Sequence, residues 1–452
     1  MSGPGRVAVI GGGVAGLTTA YRLMKAGVDV TVRETSDRVG GKLAQIRVGD
    51  VQLEAGADAF VARKPYAVDL CRELGLGNEL VGPGANGVYL WTDRGLIPFA
   101  KDAPFGIPGD VGDVFRWPGL SGAGRRRALQ DLLRGKRKDG QEETLGALLR
   151  RRLGDEATEI ALAPLLAGLY AGDVDRLSAP ATFPELVAWE AAQGSLIRGS
   201  QAASRASRRS DPGPMFVKPR GGVSRLTEAL AGSLGDRVTT GAPVSSLDDV
   251  AGADVVVLAT PAFEAARLLR PRASGAAELL DGIPYASTAV VFGLYPEGTA
   301  DALPAGTGFV VPRGKAPMTA CTWISSKWPD PAFGTRAVVR CYVGAVGDED
   351  VVEADDDELI RACARHLAAV VDLPEAPVEG AVVRWRRAMP QYELGHLDRV
   401  QGIRQSLPAG IFVVGSAYDG VGIPDCVYAA GETAERVVSY LAGATFDKET
   451  AG

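Results

Sequence analysis

Short apolar runs recur along this chain, and the runs near its start and its end are bounded by glycine. Residues 7–10, 254–258 and 411–414 are almost entirely apolar, which is typical of parallel strands buried on both faces. Residues 17–26 have a helical period, and residues 29–33 form a second strand-like run. The start of the chain therefore predicts a strand, a turn, a helix and a second strand in succession.

A different pattern occupies the second half of the chain. One amphipathic helix, residues 356–369, lies among β-like runs at 285–294, 308–311, 318–324, 337–343 and 382–385. This succession predicts a largely antiparallel sheet with one helical cover, inserted into the domain that carries the parallel strands.

The intervening stretches predict mostly helices. Residues 65–74, 223–234 and 426–441 predict single helices, residues 125–172 are mostly helical, and residues 88–99 predict a hairpin. Residues 238–244 predict a short strand. Residues 199–214 are rich in Ser, Ala and Arg and predict a mobile linker.

Composition and charge argue against several classes of protein. The chain has 452 residues, of which 46% are apolar and 23% charged, so it can form two or three domains with a large core. Its net charge of -6 argues against nucleic acid as a partner, because phosphate binding needs a basic surface. Five widely spaced cysteines and two histidines offer little material for a disulfide framework, a metal site or a histidine triad.

The start of the chain also bears on its location. The first strand begins at residue 7, which leaves no room for a targeting peptide. No stretch reaches about 18 uninterrupted apolar residues. We expect a cytoplasmic protein that has no membrane-spanning helix.

A Gly-x-Gly-x-x-Gly turn follows the first strand directly. Gly11 allows the tight turn, Gly13 lets a pyrophosphate approach the backbone, and Gly16 lets helix and strand pack closely. Val14 and Ala15 open the helix, whose free N–H groups favour phosphate. Glu34 lies about 20 residues further on, where a carboxylate can accept from ribose hydroxyls and would repel a 2′-phosphate. The turn therefore predicts a dinucleotide other than NADP.

Two further stretches distinguish FAD from NAD. Residues 37–42, with Arg38, Gly40, Gly41 and Lys42, and residues 53–57 resemble the second fingerprint of the glutathione-reductase-type flavoproteins. FAD is therefore the predicted cofactor. The predicted cofactor contacts are Gly11, Gly13, Val14, Ala15, Gly16, Glu34, Thr35, Arg38, Gly40, Gly41, Lys42, Gly56, Ala57, Asp58, Val244, Thr260, Gly415, Ser416, Val421, Gly422 and Ile423.

A basic stretch follows the hairpin. Residues 125–152 contain ten basic and four acidic residues, interleaved with leucines. A solvated helix face is the commoner origin of such a run. A basic amphipathic surface in peripheral contact with anionic lipid is the alternative.

Motifs along the whole chain resemble one family, the flavin-dependent porphyrinogen oxidases of haem synthesis. They are GADAF at 56–60, RKP at 63–65, GLYAGD at 168–173, LS at 177–178, GSLI at 194–197, GGV at 221–223, VVPR at 310–313, SSKW at 325–328, MPQY at 389–392, GHL at 395–397 and GSAYDGVGIPDC at 415–426. A glycine fingerprint alone is shared by very many proteins, whereas this ordered set is specific.

The resemblance implies an α/β (α+β) fold of three parts. A Rossmann-type FAD-binding domain of the glutathione-reductase and amine-oxidase type comprises residues 1–86, 214–272 and 394–452. An antiparallel-sheet substrate domain comprises the hairpin 87–99 and residues 273–393. Residues 100–213 form a helical domain that resembles the family's membrane-association domain.

The same resemblance implies the reaction. A porphyrinogen is oxidised to a porphyrin, the flavin N5 accepts hydride, and O2 reoxidises the flavin three times to give three H2O2. No side chain is singled out as a catalytic base. Residues expected to line the substrate cavity are Arg63, Ala171, Gly172, Thr307, Gly308, Val310 and Ile324.

Carboxylates of the substrate need cations at the cavity mouth. The candidates are Arg63, Lys64, Lys218, Arg220, Lys327 and Arg384, each of which could equally be a solvated surface charge. His396 belongs to a matched motif, and a structural hydrogen bond is its expected role.

Two positions favour coproporphyrinogen III, which has four carboxylates, over protoporphyrinogen IX. Thr307 stands where relatives often have an aromatic residue, and Val88 stands where the membrane-attached enzymes often have arginine. Protoporphyrinogen IX oxidase remains the alternative, and hand-over of the product to a chelatase is a further expectation. An amine oxidase, a carotenoid desaturase and a non-catalytic porphyrin-binding flavoprotein on the same fold are the rivals.

Overall fold

The computed structural model of the protein describes residues 5–100, 103–137, 140–210 and 213–450, with the backbone alone described at 208–210 and 444–450. The strands in chain order are β1 (Arg6–Ile10), β2 (Asp29–Arg33), β3 (Gln45–Val48), β4 (Val51–Glu54), β5 (Phe60–Val61), β6 (Leu80–Val81), β7 (Tyr89–Thr92), β8 (Gly95–Pro98), β9 (Phe216–Pro219), β10 (Val238–Thr239), β11 (Val255–Leu258), β12 (Tyr285–Leu294), β13 (Gly308–Val310), β14 (Ala320–Trp323), β15 (Val338–Val343), β16 (Glu379–Pro390) and β17 (Ile411–Val413).

The helices lie in connections between these strands and after the last strand. In chain order they are α1 (Val14–Lys25), α2 (Pro65–Glu73), α3 (Val111–Phe115), α4 (Gly122–Leu129), α5 (Leu145–Leu153), α6 (Asp155–Ala157), α7 (Ala163–Gly168), α8 (Ala179–Thr182), α9 (Pro184–Gln193), α10 (Leu196–Ser210), α11 (Ser224–Leu234), α12 (Ala262–Leu269), α13 (Ser274–Asp281), α14 (Ile324–Lys327), α15 (Asp356–Val370), α16 (His396–Ser406) and α17 (Ile423–Thr450).

A five-stranded parallel sheet collects strands from the start, the middle and the end of the chain. Its order is β10-β2-β1-β11-β17, and each neighbouring pair is parallel. Alternate residues of β1 point to opposite faces: Val7 and Val9 pack against α1, α11 and α17, whereas Ala8 and Ile10 pack against α12, α13 and α16. The predicted α/β domain with helices on both faces is confirmed.

A seven-stranded sheet carries the second half of the chain. Its order is β16-β12-β15-β14-β13-β7-β8, and β13 and β7 form its one parallel pair among the described strands. Leu359, Cys363 and Leu367 of α15 pack on the same apolar cluster as β12 and β15. The predicted antiparallel sheet with one helical cover is confirmed, and the hairpin β7–β8 extends it.

Helices α3 to α10 pack around their own apolar cluster, which includes Trp117, Leu149 and Leu186. The prediction of a mobile linker at 199–214 is wrong for residues 199–210, because they belong to α10. Residues 211 and 212 lie outside the described residues. Small residues permit close packing here: a Cβ at Gly199 would lie 2.3 Å from Trp189 Cβ. Gly199 therefore marks a tight contact between α9 and α10 and not chain flexibility.

Several arginines of the basic stretch 125–152 form ion pairs within the molecule. Arg150 pairs with Asp175 and Glu159, and Arg151 pairs with Glu143 and Glu190. Arg152 is fully buried against Asp131, with 2.5 Å between Nε and Oδ1. Lys138 lies outside the described residues. Among the described helices, none combines the length and the apolar character needed to cross a membrane.

Several element boundaries differ from the predictions. The strand expected at 238–244 is only Val238–Thr239, and the one at 382–385 extends over Glu379–Pro390. The helix predicted at 17–26 begins at Val14, and the last helix, predicted at 426–441, is Ile423–Thr450. The last difference matters most, because residues 421–423 thereby stand at a helix N-terminus.

Candidate cofactor and substrate site

The carboxyl ends of the central parallel strands meet at one edge of the five-stranded sheet. Gly11 N–H donates to Arg33 O at 2.8 Å, and Ala259 N–H donates to Ile10 O at 2.8 Å. Val414 N–H donates to Leu258 O at 3.1 Å. The turns after β1, β2, β11 and β17 therefore lie side by side, as expected at the ligand-binding edge of an open parallel sheet.

The three glycines of the first turn have different neighbours. Gly11 has a φ of 111°, and a Cβ there would lie 2.8 Å from Ala259 O. A Cβ at Gly16 would lie 2.1 Å from Gly11 O. A Cβ at Gly13 would have no atom within 4 Å. Gly11 and Gly16 therefore serve the packing of the turn, whereas Gly13 borders open space.

The N-terminus of α1 faces the same open space. Gly13 is its N-cap and supplies no side-chain hydrogen bond, and Val14 and Ala15 begin the helix. Backbone N–H groups at such an end lack intrahelical partners and sit at the positive end of the helix dipole. This arrangement suits the phosphates of a dinucleotide.

Glu34 closes the second turn. Its Oε2 accepts from Gly12 N–H at 2.6 Å, and its Oε1 accepts from the N–H and the hydroxyl of Ser36 at 2.9 and 2.7 Å. Thr35 beside it is exposed, whereas Val244 is buried behind this edge with Ile10 and Leu258. The carboxylate therefore supports the glycine turn, and its contact with a ribose stays a prediction.

The loop 37–42 packs on the glycine turn. Gly40 N–H donates to Gly12 O at 2.8 Å, and Gly40 and Gly41 have φ values of 104° and 55° that favour glycine. Arg38 is exposed and donates to Gly41 O at 3.0 Å and to Val39 O at 3.2 Å. The predicted loop thus lies beside the predicted phosphate position.

Lys42 connects this loop to two others. Its Nζ lies 3.3 Å from Ser416 Oγ, and a Cβ at Gly56 would lie 1.8 Å from its carbonyl oxygen. Burial lowers the pKa of Lys42 to about 8. The structure thereby brings the turns at 40–42, 56–58 and 415–416 together.

These residues fit a bound FAD. Gly13 and Gly415 border space in which a Cβ would meet no atom within 4 Å. Lys42 supplies a buried cation, and the buried Thr260 Oγ1 has no partner among the described atoms. A cation, an unpartnered hydroxyl and free helix N–H groups are the donors that a pyrophosphate and a ribityl chain require.

The last turn leads into α17. Gly415 and Gly420 have φ values of 134° and 135°, and Val421 and Gly422 immediately precede the helix. Ile423, its first residue, is buried against the cluster that contains α1. The N-terminus of α17 therefore lies at the same edge as the N-terminus of α1.

His396 has a structural role, as predicted. Its Nε2 lies 3.2 Å from Tyr418 O, and its ring stacks on Tyr392 with 3.8 Å between centroids. Burial lowers the pKa of His396 to about 4. The imidazole is therefore neutral at physiological pH.

Asp58 organises the boundary between the two sheets. Its Oδ2 accepts from Lys327 Nζ at 2.8 Å and from Trp328 Nε1 at 3.0 Å. Burial by itself would raise the pKa of Asp58, but the charges of Lys327 and Arg340 outweigh it and lower the pKa to about 2. Lys218 Nζ lies 4.8 Å from the Trp328 ring centroid. Two lysines and a tryptophan thus surround an ionised aspartate beside the exposed Ala57.

Sequence reasoning missed two side chains that hold this boundary. Arg340 of β15 is 4% exposed and donates from Nη2 to Gly56 O at 2.5 Å. Trp385 of β16 donates from Nε1 to Ala55 O at 2.8 Å. An arginine inside the apolar run 338–343 was an available signal for Arg340, whereas nothing in its local pattern distinguished Trp385.

The predicted substrate residues fall into separate groups. Val310 shares an apolar cluster with Tyr170 and Val421, which brings one sheet residue next to the helical region and the last turn. Ala171 has a φ of 47° and accepts at its carbonyl from Val346 N–H, and a Cβ at Gly172 would lie 2.7 Å from Gln391 Oε1.

Other predicted substrate residues make contacts elsewhere. Ile324 packs in a different cluster, with Leu53. Arg63 donates to Ser207 Oγ at 2.9 Å, and Thr307 donates from N–H and Oγ1 to Gly87 O at 2.8 and 2.9 Å. A Cβ at Gly308 would lie 2.0 Å from Cys321 O, so this glycine permits strand contact.

The remaining cation candidates also differ in their surroundings. Lys64 pairs with Asp425 in the first turn of α17 at 2.7 Å, and Arg220 is exposed. Arg384 is held by Val352 O at 2.7 Å and Asp356 at 2.5 Å. Arg384 therefore braces the substrate sheet, whereas Lys218 and Lys327 lie with Asp58 and Trp328 at the boundary between the two sheets.

Comparisons with known proteins fit this geometry. The family described as flavin containing amine oxidoreductase matches residues 14–438. Coproporphyrinogen III oxidase of Bacillus subtilis (strain 168) is 32% identical over 470 aligned residues, covering 97% of this chain and 99% of the relative. The chloroplastic protoporphyrinogen oxidase of Oryza sativa subsp. japonica is 30% identical, covering 96% of this chain and 88% of the relative.

A solved structure is similar over the same length. The crystal structure from Exiguobacterium sp. 255-15 that bears the name protoporphyrinogen oxidase superposes with a TM-score of 0.85 at 32% identity, covering 97% of this chain and 99% of that one. The similarity therefore includes both sheets and the helical region.

Proposed function

The chain belongs to the family of flavin-containing amine oxidoreductases, and from this premise we propose that it oxidises coproporphyrinogen III to coproporphyrin III in haem biosynthesis. It is an oxidoreductase with FAD as its cofactor. The observation that carries the proposal is the match, from end to end, with a relative named coproporphyrinogen III oxidase. Protoporphyrinogen IX is the second candidate substrate, because relatives named protoporphyrinogen oxidase also match along their length.

The balance of charge at the boundary supports a substrate with carboxylates. Lys218, Lys327 and Arg340 supply three cations there, against the carboxyl groups of Glu54 and Asp58. Burial raises the pKa of Glu54 and lowers the pKa of Lys218. We infer that Lys218 and Lys327 receive carboxylates of the porphyrinogen.

In this proposal, the residues of the chain bind and orient FAD and the porphyrinogen. FAD, when bound, supplies the hydride acceptor for the porphyrinogen. The N–H groups at the start of α1 and the Lys42 ammonium would hold its phosphates. The N–H groups of residues 421–423, at the start of α17, would stabilise the negative charge that develops on the reduced flavin. The pKa of Asp58 is lowered to about 2, so its carboxylate is ionised at neutral pH and holds Lys327 in place.

We propose O2 as the electron acceptor, with three O2 consumed and three H2O2 formed for each porphyrin. An oxygen electrode and a peroxide assay run together test this stoichiometry. A ratio other than one peroxide for each O2 would contradict it, and turnover without O2 would point to another acceptor.

The substrate is tested by porphyrin fluorescence. FAD-loaded protein is mixed with coproporphyrinogen III or protoporphyrinogen IX, and the rates are corrected for autoxidation. We expect a higher kcat/KM on the tetracarboxylate, and a preference for protoporphyrinogen IX would overturn the assignment. Turnover of neither substrate would leave an amine oxidase, a desaturase or a non-catalytic flavoprotein.

A lysine variant tests the carboxylate contact. We expect Lys218→Met to raise KM by about tenfold for coproporphyrinogen III and by less for the dicarboxylate, because a charged hydrogen bond is lost. Lys315→Met, at an exposed lysine of the substrate domain, is the control. Equal effects of the two variants on KM would contradict the carboxylate contact.

Peripheral lipid contact, a cytoplasmic location and product hand-over to a chelatase stay predictions. The internal ion pairs of Arg150, Arg151 and Arg152 favour a structural use of most of the basic stretch. Leu133 is 88% exposed and lies near the exposed Arg126 and Lys136, so these residues are the candidates for lipid contact. Co-sedimentation with anionic vesicles, and its loss in Leu133→Ala, tests this contact.

A further inference from the structure

Tyr392 lies where the substrate sheet, the helical region and the cofactor edge meet. It follows the last residue of β16 closely and is 1% exposed. Its hydroxyl donates to Ser416 O at 2.8 Å and accepts from Gly420 N–H at 2.8 Å. The phenol thus bridges both ends of the loop 416–420.

His396 completes the contact with this loop. Its ring stacks on Tyr392 at an interplanar angle of 12°, and its Nε2 lies 3.2 Å from Tyr418 O. A bond to a carbonyl requires hydrogen on Nε2, and the neutral ring supplies it in that tautomer. Three backbone groups of the loop, at positions 416, 418 and 420, are therefore held by two side chains.

We propose that Tyr392, held in place by His396, is a positioning residue that sets the conformation of the flavin-facing loop 415–423. Gly415 begins this loop and Gly420 lies within it, and the two glycines leave the loop with little conformational preference of its own. The backbone that presents residues 421–423 must therefore be selected by contacts from outside the loop. The Tyr392 hydroxyl lies between the two glycines and provides them.

The same segment also reaches the substrate side. Gln391 donates from Nε2 to Tyr170 O at 2.8 Å, and Ser178 N–H donates to Tyr392 O at 2.8 Å. A displacement of residues 391 and 392 would consequently move the predicted cofactor loop together with residues 170–172. Tyr392 couples the two sides of the site.

Tyr392→Phe tests the proposal, with Tyr418→Phe as the matched control. The Tyr418 hydroxyl is buried in the same loop, but it has no partner among the described atoms. We expect Tyr392→Phe to weaken FAD binding by about tenfold, because a buried N–H and a buried carbonyl lose their partner. We also expect a shifted flavin absorption maximum and midpoint potential in the holoenzyme, and a melting temperature of the apoprotein that falls by a few degrees only. Tyr418→Phe should change none of these.

The readouts separate positioning from general stability. The proposal rests on the cofactor placement proposed above, and FAD binding by the wild-type protein tests that placement independently of any substrate. Unchanged FAD affinity and midpoint potential in Tyr392→Phe, or equal changes in Tyr418→Phe, would overturn it. If Tyr392→Phe does not fold, His396→Gln provides the test, because it removes the ring that stacks on Tyr392. We expect this variant to weaken FAD binding two- to threefold. An unchanged FAD affinity in His396→Gln would refute the proposal.

Discussion

Gly16 and Arg152 each lie at the centre of a region, and the two regions are held together differently. At the cofactor edge, a Cβ on Gly16 would lie 2.1 Å from Gly11 O, so this edge depends on the absence of a side chain. In the helical region, the fully buried Arg152 reaches Asp131, and Asp131 also accepts from Ser195 Oγ and Ile197 N–H at 2.6 and 3.0 Å. The first region is built from backbone and the second from buried charge.

This difference determines how each region responds to change. A backbone-built edge leaves N–H groups and space for a ligand, so selected substitutions there can affect the cofactor without affecting the fold. At a buried ion pair, a substitution always affects the fold, because removing one partner leaves the other charge desolvated. The comparison therefore predicts opposite patterns of stability and FAD affinity in the two regions.

The largest effect is expected in the helical region. Asp131→Ala should lower the free energy of unfolding by about 3–5 kcal/mol, because the buried Arg152 would lose its closest carboxylate and keep only the longer contact with Glu190 at 3.4 Å. Urea denaturation measures the change. Arg126→Ala, at an exposed arginine of the same stretch, is the control and should stay within about 0.5 kcal/mol. A similar small loss in both variants would mean that the buried pair contributes little to stability.

A pair of glycine variants tests the cofactor edge. Gly16→Ala should lower the free energy of unfolding by about 1–3 kcal/mol, because the new methyl group collides with backbone. Gly13→Ala should leave the apoprotein stable, since its Cβ would meet no atom within 4 Å, yet weaken FAD binding by about tenfold. Melting curves with and without FAD separate the two outcomes. If both variants lost stability equally, the distinction between packing and ligand-facing glycines would be wrong.

The remaining effect concerns pH at the same edge, and it is small near pH 8. Burial lowers the pKa of Lys42 from 10.5 to about 8, so the free protein loses this charge as the pH rises above 8. Above this pH, FAD can bind only if Lys42 is protonated again. The affinity for FAD should therefore fall by nearly tenfold for each pH unit above about 8. Titrations of flavin fluorescence at several pH values measure it.

The stability of the apoprotein has the opposite pH dependence. Below pH 8 the folded protein carries a buried, charged Lys42, which lowers the free energy of unfolding. Between about pH 8 and 10.5 Lys42 loses its proton in the folded protein but not in the unfolded chain, so the free energy of unfolding rises over that range. Lys42→Met should flatten both profiles. An FAD affinity of the wild-type protein that is independent of pH would contradict a phosphate contact by Lys42.

The cofactor edge was largely predictable because its constraints act over short distances. The roles of Gly11 and Gly16 follow from a strand, a turn and a helix within six residues of each other. The order of the apolar runs likewise predicted a parallel sheet and an antiparallel sheet. The contacts of Glu34 with Gly12 and Ser36 add a structural role that the spacing alone did not indicate.

The helical region shows where prediction from local composition failed. A run rich in Ser, Ala and Arg resembles a linker, but in α10 the small residues allow contact with Trp189. A basic run resembles a charged surface, but Arg150, Arg151 and Arg152 turn towards acidic residues on other segments. Composition describes side chains without their partners, and here the partners decide the role.

By itself, the sequence determined the nucleotide turn, the two kinds of sheet and the family, because glycine sterics, hydrophobic period and ordered motifs are local properties. Only the tertiary structure decided that Asp58 is surrounded by Lys327 and Trp328, and that Tyr392 holds the loop between its two glycines. Asp58 and Lys327 are 269 residues apart in the chain, and Asp131 and Ser195 are 64 apart. Such pairs form only when the whole chain is packed, since the energy that selects them comes from shared burial and not from neighbouring residues.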